Sequence, residues 1–499
     1  MTRFAKKIVD GGRDKRRKNL LKSNRYLVQI HTRIRKYRRL FSLNPTLCSV
    51  IRNTAIFICS FTFTCFVYLL IQAQSPISDT FTAGRISILK DRPLNITRDI
   101  IIDMSPLGEK GGMITLTQSL IKDIAEKRPN WRLLILIHKG CRQSYNLPDN
   151  PNVKCIEIKP TPIPFIFSQE LLKSRSFCAV RDKLTQLLYY DRIFIDNKCD
   201  LIWDPVGDSS LCNFVTVPRI STVHDIACFD VIPKFFASSK HQRIAGICIG
   251  NAMFFSQKII TVSEFSQKRI CDKFSVSKDF VKHIPIKLGT RVYSNANPKK
   301  SLTVLHKYKL QSQKYFIFCS TWWKNKNHSA LMKAFNKFDE KNSEIKLILV
   351  GKHPKTFESQ PIENYCSDRL LITGFVPDEE LGILLKNALA FIHPSVYEGF
   401  GMPIIEAMAN GIPVACSNVA SLPEVAGSAA LFFDPFNTDS ITQAMHQLAD
   451  NPQLRKNLIK KGYEQAKKYS DRDAMVDEYI RVMEDVMREN DLRKATMEK

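Results

Sequence analysis

Residues 394–435 read PSVYEGFGMPIIEAMANGIPVACSNVASLPEVAGSAALFFDP, and the fold is decided by how this stretch is punctuated. The apolar run Leu389–His393 before it has strand length. Glu398-Gly399-Phe400-Gly401 then makes a turn, Pro403 stands where a first helical residue belongs, and Gly411 stands where a helix stops. A strand, a glycine turn and a helix in that order bring backbone N–H groups to a helix N-terminus, where an anionic ligand can approach closely. Glu398 lies in the turn and Glu406 one turn inside the helix, so the two can meet different groups of one ligand.

Outward from this stretch the same alternation repeats. Short β-branched runs suited to buried parallel strands occur near residues 99–103, 133–138, 153–158, 200–204, 219–224 and 258–263, and again near 315–320, 345–351, 370–374, 389–393, 413–417 and 430–433. Strands alternating with helical patterns predict an α/β protein with two Rossmann-like doubly wound domains facing a central cleft. The polar stretch Tyr293–Ser301 is the expected break between them. The expected divisions are a basic tail at 1–53, an anchor at 54–73, a linker at 74–97, an N-terminal Rossmann-like domain at 98–292 and a C-terminal Rossmann-like domain at 302–470. A final helix at 471–499, running roughly Asp471–Arg488 behind a Ser470 cap, is expected to pack back on the N-terminal domain. Asp471 and Asp473 have the D-x-D spacing of a metal site, but at a helix start they read as partners of the helix dipole.

The block around Glu398 and Glu406 resembles the E-x7-E motif of the retaining family-4 (group 1) glycosyltransferases, which have the GT-B fold. The resemblance rests on the glutamate spacing, the G-F-G-x-P turn and the following S-N-V-A-S-L-P-E-V, and extends over roughly residues 98–490. Other blocks agree with it. Trp322–His328 (WWKNKNH) is similar to the family's segment ending in Arg-Lys-Asn or His-Lys-Asn, which places Lys326 on the donor diphosphate. Asn325 stands where many members carry Arg, with Lys324 as a neighbouring cation. Gly111-Gly112 resembles the glycine loop near the donor phosphates and acceptor. Val223-His224-Asp225 resembles the V-H-D turn whose histidine reaches the transferred sugar, and Val262–Ser266 a block that starts a helix.

The resemblance implies transfer of a hexose-type sugar from a nucleotide-diphosphate sugar to a glycan, lipid-linked or polysaccharide acceptor, with retention and with neither metal nor other cofactor. Glu398, Lys326 and His224 are then the expected catalytic residues. Gly111, Gly112, Asn325, Gly399, Phe400, Gly401, Met402 and Glu406 are the expected donor-binding residues. Lys326 and the Gly399–Met402 amides would meet the diphosphate, Glu406 the ribose hydroxyls and Glu398 those of the sugar. Two rivals share the outline: another two-lobed sugar-nucleotide enzyme, and a scaffold that binds donor without turning it over.

Composition bounds the rest. The chain has 499 residues and a formal net charge of +26, of which residues 1–53 supply +14, so the body is only mildly basic. The uncharged run Thr54–Ala73, with 15 apolar residues of 20, is long enough to span a hydrocarbon core of ~30 Å. Behind the basic flank RIRKYRR (Arg33–Arg39) it reads as an uncleaved anchor helix in contact with membrane lipid, and the tail as its topogenic flank. No nucleic-acid module is recognisable in that tail, so nucleic acid is not an expected partner. Of 14 cysteines, Cys48, Cys59 and Cys65 lie in or beside the apolar segment, and the other 11 are single residues without C-x-x-C pairs, the pattern of reduced core thiols. Charge bias places the body outside the cytoplasm. The cysteines, and an acceptor pattern for N-glycosylation at Asn327-His328-Ser329 within the donor block, favour a reducing side. A segment that dips without crossing reconciles the two, and the side stays open.

Overall fold

A computed structural model describes residues 95–104, 112–138, 142, 145–158, 199–207, 217–231, 235, 239–287, 297–339, 344–351 and 368–498. The basic tail, the apolar run 54–73, nearly all of the linker, Gly111 and Tyr293–Ala296 of the expected interdomain break lie outside the described residues. Everything described belongs to one compact unit, Arg92–Lys499. Among the described residues no helix is long and apolar enough to cross a membrane.

The N-terminal sheet contains β1 (Arg98–Asp103), β2 (Trp131–His138), β3 (Val153–Ile158), β4 (Leu201–Asp204), β5 (Arg219–Thr222), β6 (Lys258–Thr261) and β7 (Val281–His283), in the order β3-β2-β1-β4-β5-β6-β7. The C-terminal sheet contains β8 (Tyr315–Cys319), β9 (Lys346–Val350), β10 (Leu370–Gly374), β11 (Ala390–His393), β12 (Val414–Ser417) and β13 (Ala430–Phe433), ordered β10-β9-β8-β11-β12-β13. Neighbouring strands in both sheets are parallel. Such strands are covered on both faces, which is why Ile100–Ile102 and Phe316–Phe318 are fully buried runs without alternation. Each of the twelve strand segments read from sequence is a strand. The thirteenth, β7, has three residues and carries only Val281 into the core.

The helices that matter for the site are α1 (Gly112–Lys127), α2 (Ser239–Phe255), α3 (Glu264–Phe274), α4 (Pro298–Lys307), α5 (His328–Asp339), α6 (Asp378–Lys386), α7 (Met402–Ala409), α8 (Leu422–Ala426), α9 (Thr438–Asp450), α10 (Pro452–Lys467) and α11 (Arg472–Glu498). Helix α7 opens one residue before Pro403, and α11 runs ten residues beyond the expected end at Arg488. Ser470 is not its cap. That hydroxyl donates back to the Lys467 carbonyl, and Asp471 takes the capping role by accepting from the Ala474 amide at 3.0 Å. Asp473 pairs with Lys127 at 3.2 Å. Helix α11 lies on the N-terminal domain. Val476, Tyr479, Ile480, Met483, Val486 and Met487 form its buried stripe at helical spacing, and Arg472–Asp123 (2.6 Å), Lys127–Asp477 (2.8 Å) and Arg128–Glu484 (2.9 Å) rim it.

In each sheet the strand order reverses at one place, between β1 and β4 and between β8 and β11. Ligands of doubly wound sheets bind at the carboxyl ends of strands at such a switch point. The loops after β8 and β11 carry Lys326 and Glu398, and the turn after β5 carries His224.

Candidate functional site

The loop after β8 closes in a single 3₁₀ turn, Lys324–Lys326, and ends in left-handed Asn327 (φ 60°). Asn327 tolerates that backbone because its amide donates to the carbonyls of Pro394 (3.1 Å) and Pro435 (2.9 Å). The glycosylation pattern there is therefore spent on structure, since a glycan on this nitrogen would displace both bonds. Asn325 is spent likewise. Its amide donates to the Tyr397 carbonyl at 3.2 Å and its own carbonyl accepts from the Val396 amide at 2.8 Å. These two bonds make Asn325 a strut that fixes the loop holding Glu398. His328 is buried and stacked on Trp322 at 4.2 Å.

Lys326 emerges from this frame with its ammonium 2.6 Å from Glu398 Oε1, both side chains mostly buried at 19% and 13% exposure. His393, the last residue of β11, places Nε2 3.2 Å from the same oxygen. Burial pushes the His393 ring toward its neutral form, against the pull of Glu398, so Nε2–H is the donor. Burial alone would raise the Glu398 carboxyl, but the Lys326 charge and the His393 bond outweigh it and hold the group well below the usual carboxylate range. The carboxyl of Asp225, from the other lobe, is raised chiefly by burial and further by Glu398, against the lowering bond it accepts from the Ala227 amide at 2.8 Å.

The turn Gly399–Gly401 is shaped by what lies against it. A Cβ on Gly399 would overlap the His224 carbonyl oxygen, and one on Gly401 (φ 106°) would lie 2.7 Å from Leu422 Cδ2. Ser421 Oγ donates to the carbonyls of both Glu398 and Phe400 at 2.9 Å. The Phe400 ring is packed edge-on against Tyr469 at 5.4 Å, so only its backbone faces the turn's surroundings. Gly401 is the N-cap of α7 and supplies no side-chain acceptor; Pro403 has no N–H and the Ile404 amide donates to the Gly401 carbonyl at 3.0 Å, so Met402 carries the amide that the N-terminus of this helix can offer an anion. Glu406 is half-buried one turn further and close enough to the Cys319 thiol to raise it, burial being the larger cause.

From the N-terminal lobe, His224 donates Nε2–H to the Pro205 carbonyl at 3.1 Å, and burial keeps the ring neutral. Pro205 is itself placed by Asp204, a fully buried carboxylate paired with Arg219 at 2.6 Å and accepting from the Gly207 amide at 2.9 Å. Nothing in the sequence marks that pair, because an Asp closing one strand and an Arg opening the next are ordinary in isolation. Gly112 opens α1 exposed, with open space where a Cβ would point. The structure thus brings Lys326, Glu398, His393, Asp225 and the α7 N-terminus together, adds His224 across the cleft, and converts Asn325 and Phe400 into supports. The seven described cysteines are free. Those in the core, such as Cys199, have thiols raised by burial, to about 12 for Cys199, so they are structural rather than reactive.

A carboxylate held ionised beside a mostly buried ammonium, with the Met402 amide alongside and a second lobe in contact, is chemistry that suits an anionic, hydroxyl-rich ligand. Residues 306–465 match the family model described as glycosyl transferases group 1, so the C-terminal lobe carries a domain of that family. O-antigen chain mannosyltransferase B of Escherichia coli is 34% identical over 256 residues, 50% of this chain and 66% of that protein. The MMP alpha-(1->4)-mannosyltransferase of Mycolicibacterium hassiacum is 28% identical over 213 residues, 42% of this chain and 49% of that protein. The chain therefore matches one of these relatives over about two thirds of its length and the other over about half. Sucrose-phosphate synthase from Thermosynechococcus elongatus superimposes with a TM-score of 0.58 at 18% identity, over 78% of this chain and 99% of that one. Anabaena HepE in complex with UDP-glucose gives 0.59 at 15%, over 78% and 100%. At such identities the likeness concerns the fold: two parallel-sheet α/β domains in the GT-B arrangement.

Proposed function

We propose that the chain is a glycosyltransferase that moves a hexose from a nucleotide-diphosphate sugar to a glycan, lipid-linked or polysaccharide acceptor, with retention of anomeric configuration. The observation that carries this reading is the 2.6 Å pair of Lys326 and Glu398 at the N-terminus of α7. In a sugar nucleotide the reacting bond joins the sugar to the diphosphate, so a phosphate-binding cation and a sugar-binding carboxylate must be neighbours. They are neighbours here.

On this reading Lys326 and the Met402 end of α7 stabilise charge growing on the departing diphosphate, the largest single contribution expected in such a step. Glu398, kept ionised, accepts hydrogen bonds from the sugar's hydroxyls and holds Lys326 in position. Glu406 accepts from the ribose hydroxyls, and His224 meets the sugar from the opposite lobe. Closure of the lobes excludes water. No step calls on a metal. Because both named relatives are mannosyltransferases, nucleotide-activated mannose is the first donor to test. Release of nucleoside diphosphate from a panel of sugar nucleotides, with and without glycan acceptors, tests the activity, and the anomeric coupling of the product tests retention. No release from any donor would favour the scaffold reading.

Membrane attachment through residues 54–73 belongs to the same proposal, supported by an uncharged 20-residue run behind a basic flank. Flotation with vesicles tests it, and protease protection assigns the side.

A further inference from the structure

Glu424 lies outside the pair of glutamates that the donor reading uses. It belongs to α8, on the C-terminal lobe, yet its carboxylate is bound by the other lobe. Oε1 accepts from the Glu264 amide at 2.8 Å and Oε2 from the Phe265 amide at 2.9 Å, the first two residues of α3. Two charge-assisted bonds at the positive end of an eleven-residue helix make a strong, directional join. Ser263, which caps that helix by accepting from the Ser266 amide, sends its own proton across the same seam to the Gly399 carbonyl at 2.7 Å. Ser266 Oγ touches the carbonyls of His224 (3.2 Å) and Gly399 (3.4 Å). A third crossing lies on the far side of the turn, where Tyr397 Oη donates to Asp230 Oδ2 at 2.9 Å and Asp230 is held by Arg269 of α3 at 2.6 Å.

These contacts converge on the turn that carries Glu398. Helix α3 is gripped at its start by Glu424 and through Arg269 and Asp230 by Tyr397, so the N-terminal lobe cannot swing away without breaking them. The same contacts hold the His224 carbonyl against Gly399, where no side chain fits. We propose that Glu424 is a closure latch, a positioning residue that locks α3 of one lobe onto α8 of the other and so sets the His224 turn against the Glu398 turn. The inference rests on the proposed transfer reaction for its kinetic consequence, but the latch itself is a property of the lobes. A latch of this kind acts on turnover, because the groups proposed to bind nucleotide, Lys326, Glu406 and the Met402 amide, all sit on the C-terminal lobe and keep their geometry when it opens.

The test uses the full chain with Glu424→Ala and Glu424→Gln, read by hydrogen exchange at the Glu264 and Phe265 amides, by turnover, and by affinity for nucleoside diphosphate. Glu424→Ala should speed exchange at both amides about 10-fold or more and lower turnover about 10- to 100-fold, with diphosphate affinity within about twofold of wild type. Glu424→Gln keeps one acceptor oxygen and should fall between Ala and wild type in both. If Glu424→Ala fails to fold, the Gln variant is read alone. Wild-type exchange and turnover in the variant read would overturn the latch, as would a loss of diphosphate affinity equal to the loss of turnover. If even the unmodified chain turns over no sugar nucleotide, the transfer reading fails while the exchange result still decides the latch.

Discussion

Glu398 is pulled in two directions, and the balance has a measurable consequence. Burial favours its neutral form, but Lys326 and His393 hold it ionised, so its folded pKa lies below the ~4.3 of an unfolded chain. A carboxyl with a depressed folded pKa stabilises the fold above its unfolded pKa, and loses that contribution only as pH falls through the folded value. Lys326→Ala removes one of the influences that hold the group ionised, so the stabilisation that Glu398 contributes above ~4.3 shrinks. The destabilisation of that variant should therefore narrow as pH falls below ~4.3, where the wild type loses the same contribution. Equal melting-temperature losses at about pH 3 and pH 7 would contradict the pairing. Glu406→Ala should act on donor affinity instead, weakening it about 10- to 150-fold through loss of charge-assisted bonds worth ~1.5–3 kcal/mol, as titration of nucleoside diphosphate would show. Lys326 and Glu398 were legible in the sequence because glycines, prolines and strand ends fix their loops. His393 and Glu424 were not, because one ends an apolar strand and the other reads as an ordinary helix-start charge, and their partners lie elsewhere in the fold. The bonds of Asn325 to Tyr397 and Val396 were hidden likewise: position in a motif says which loop a residue occupies, not which way its side chain turns.

At the scale of elements, strand content was readable because parallel strands buried on both faces are unbroken apolar runs. The miss, β7, is too short to show such a run. The division at 471–499 agrees with α11, while the shorter span to Arg488 fell short because the buried stripe fades after Met487 and the helix continues on polar residues to Glu498. That stripe matters for the N-terminal lobe. Tyr479 is buried with its ring 5.6 Å from that of Trp203 on β4. Tyr479→Ala leaves a cavity there and should cost about 3–5 kcal/mol by denaturant unfolding, in line with large aromatic deletions. A cost below ~1 kcal/mol would mean that α11 is peripheral. Gly401→Ala combines a left-handed backbone with overlap at Leu422 and should cost about 1–3 kcal/mol, which the same unfolding measurement checks.

At the scale of the molecule, the described residues form one unit beginning at Arg92, and every donor-site candidate lies within it. A chain beginning at Pro76 should keep its turnover to within about twofold and lose its affinity for vesicles, by the logic that apolar burial, not the catalytic lobes, holds it to lipid. Loss of nucleotide binding in a folded truncation would refute that division. The two-lobed architecture was legible from alternation alone, whereas the seam between the lobes was not, since Glu424, Ser263 and Tyr397 find partners more than a hundred residues away. The central claim is that Lys326 and Glu398 together break the bond between sugar and diphosphate. Its most direct measurement is nucleoside diphosphate release by the wild type, Lys326→Ala and Glu398→Gln, with melting curves to confirm folding. Turnover should fall by ~10²–10³ in Lys326→Ala and by more than affinity does in Glu398→Gln. Wild-type turnover in both folded variants would contradict the account.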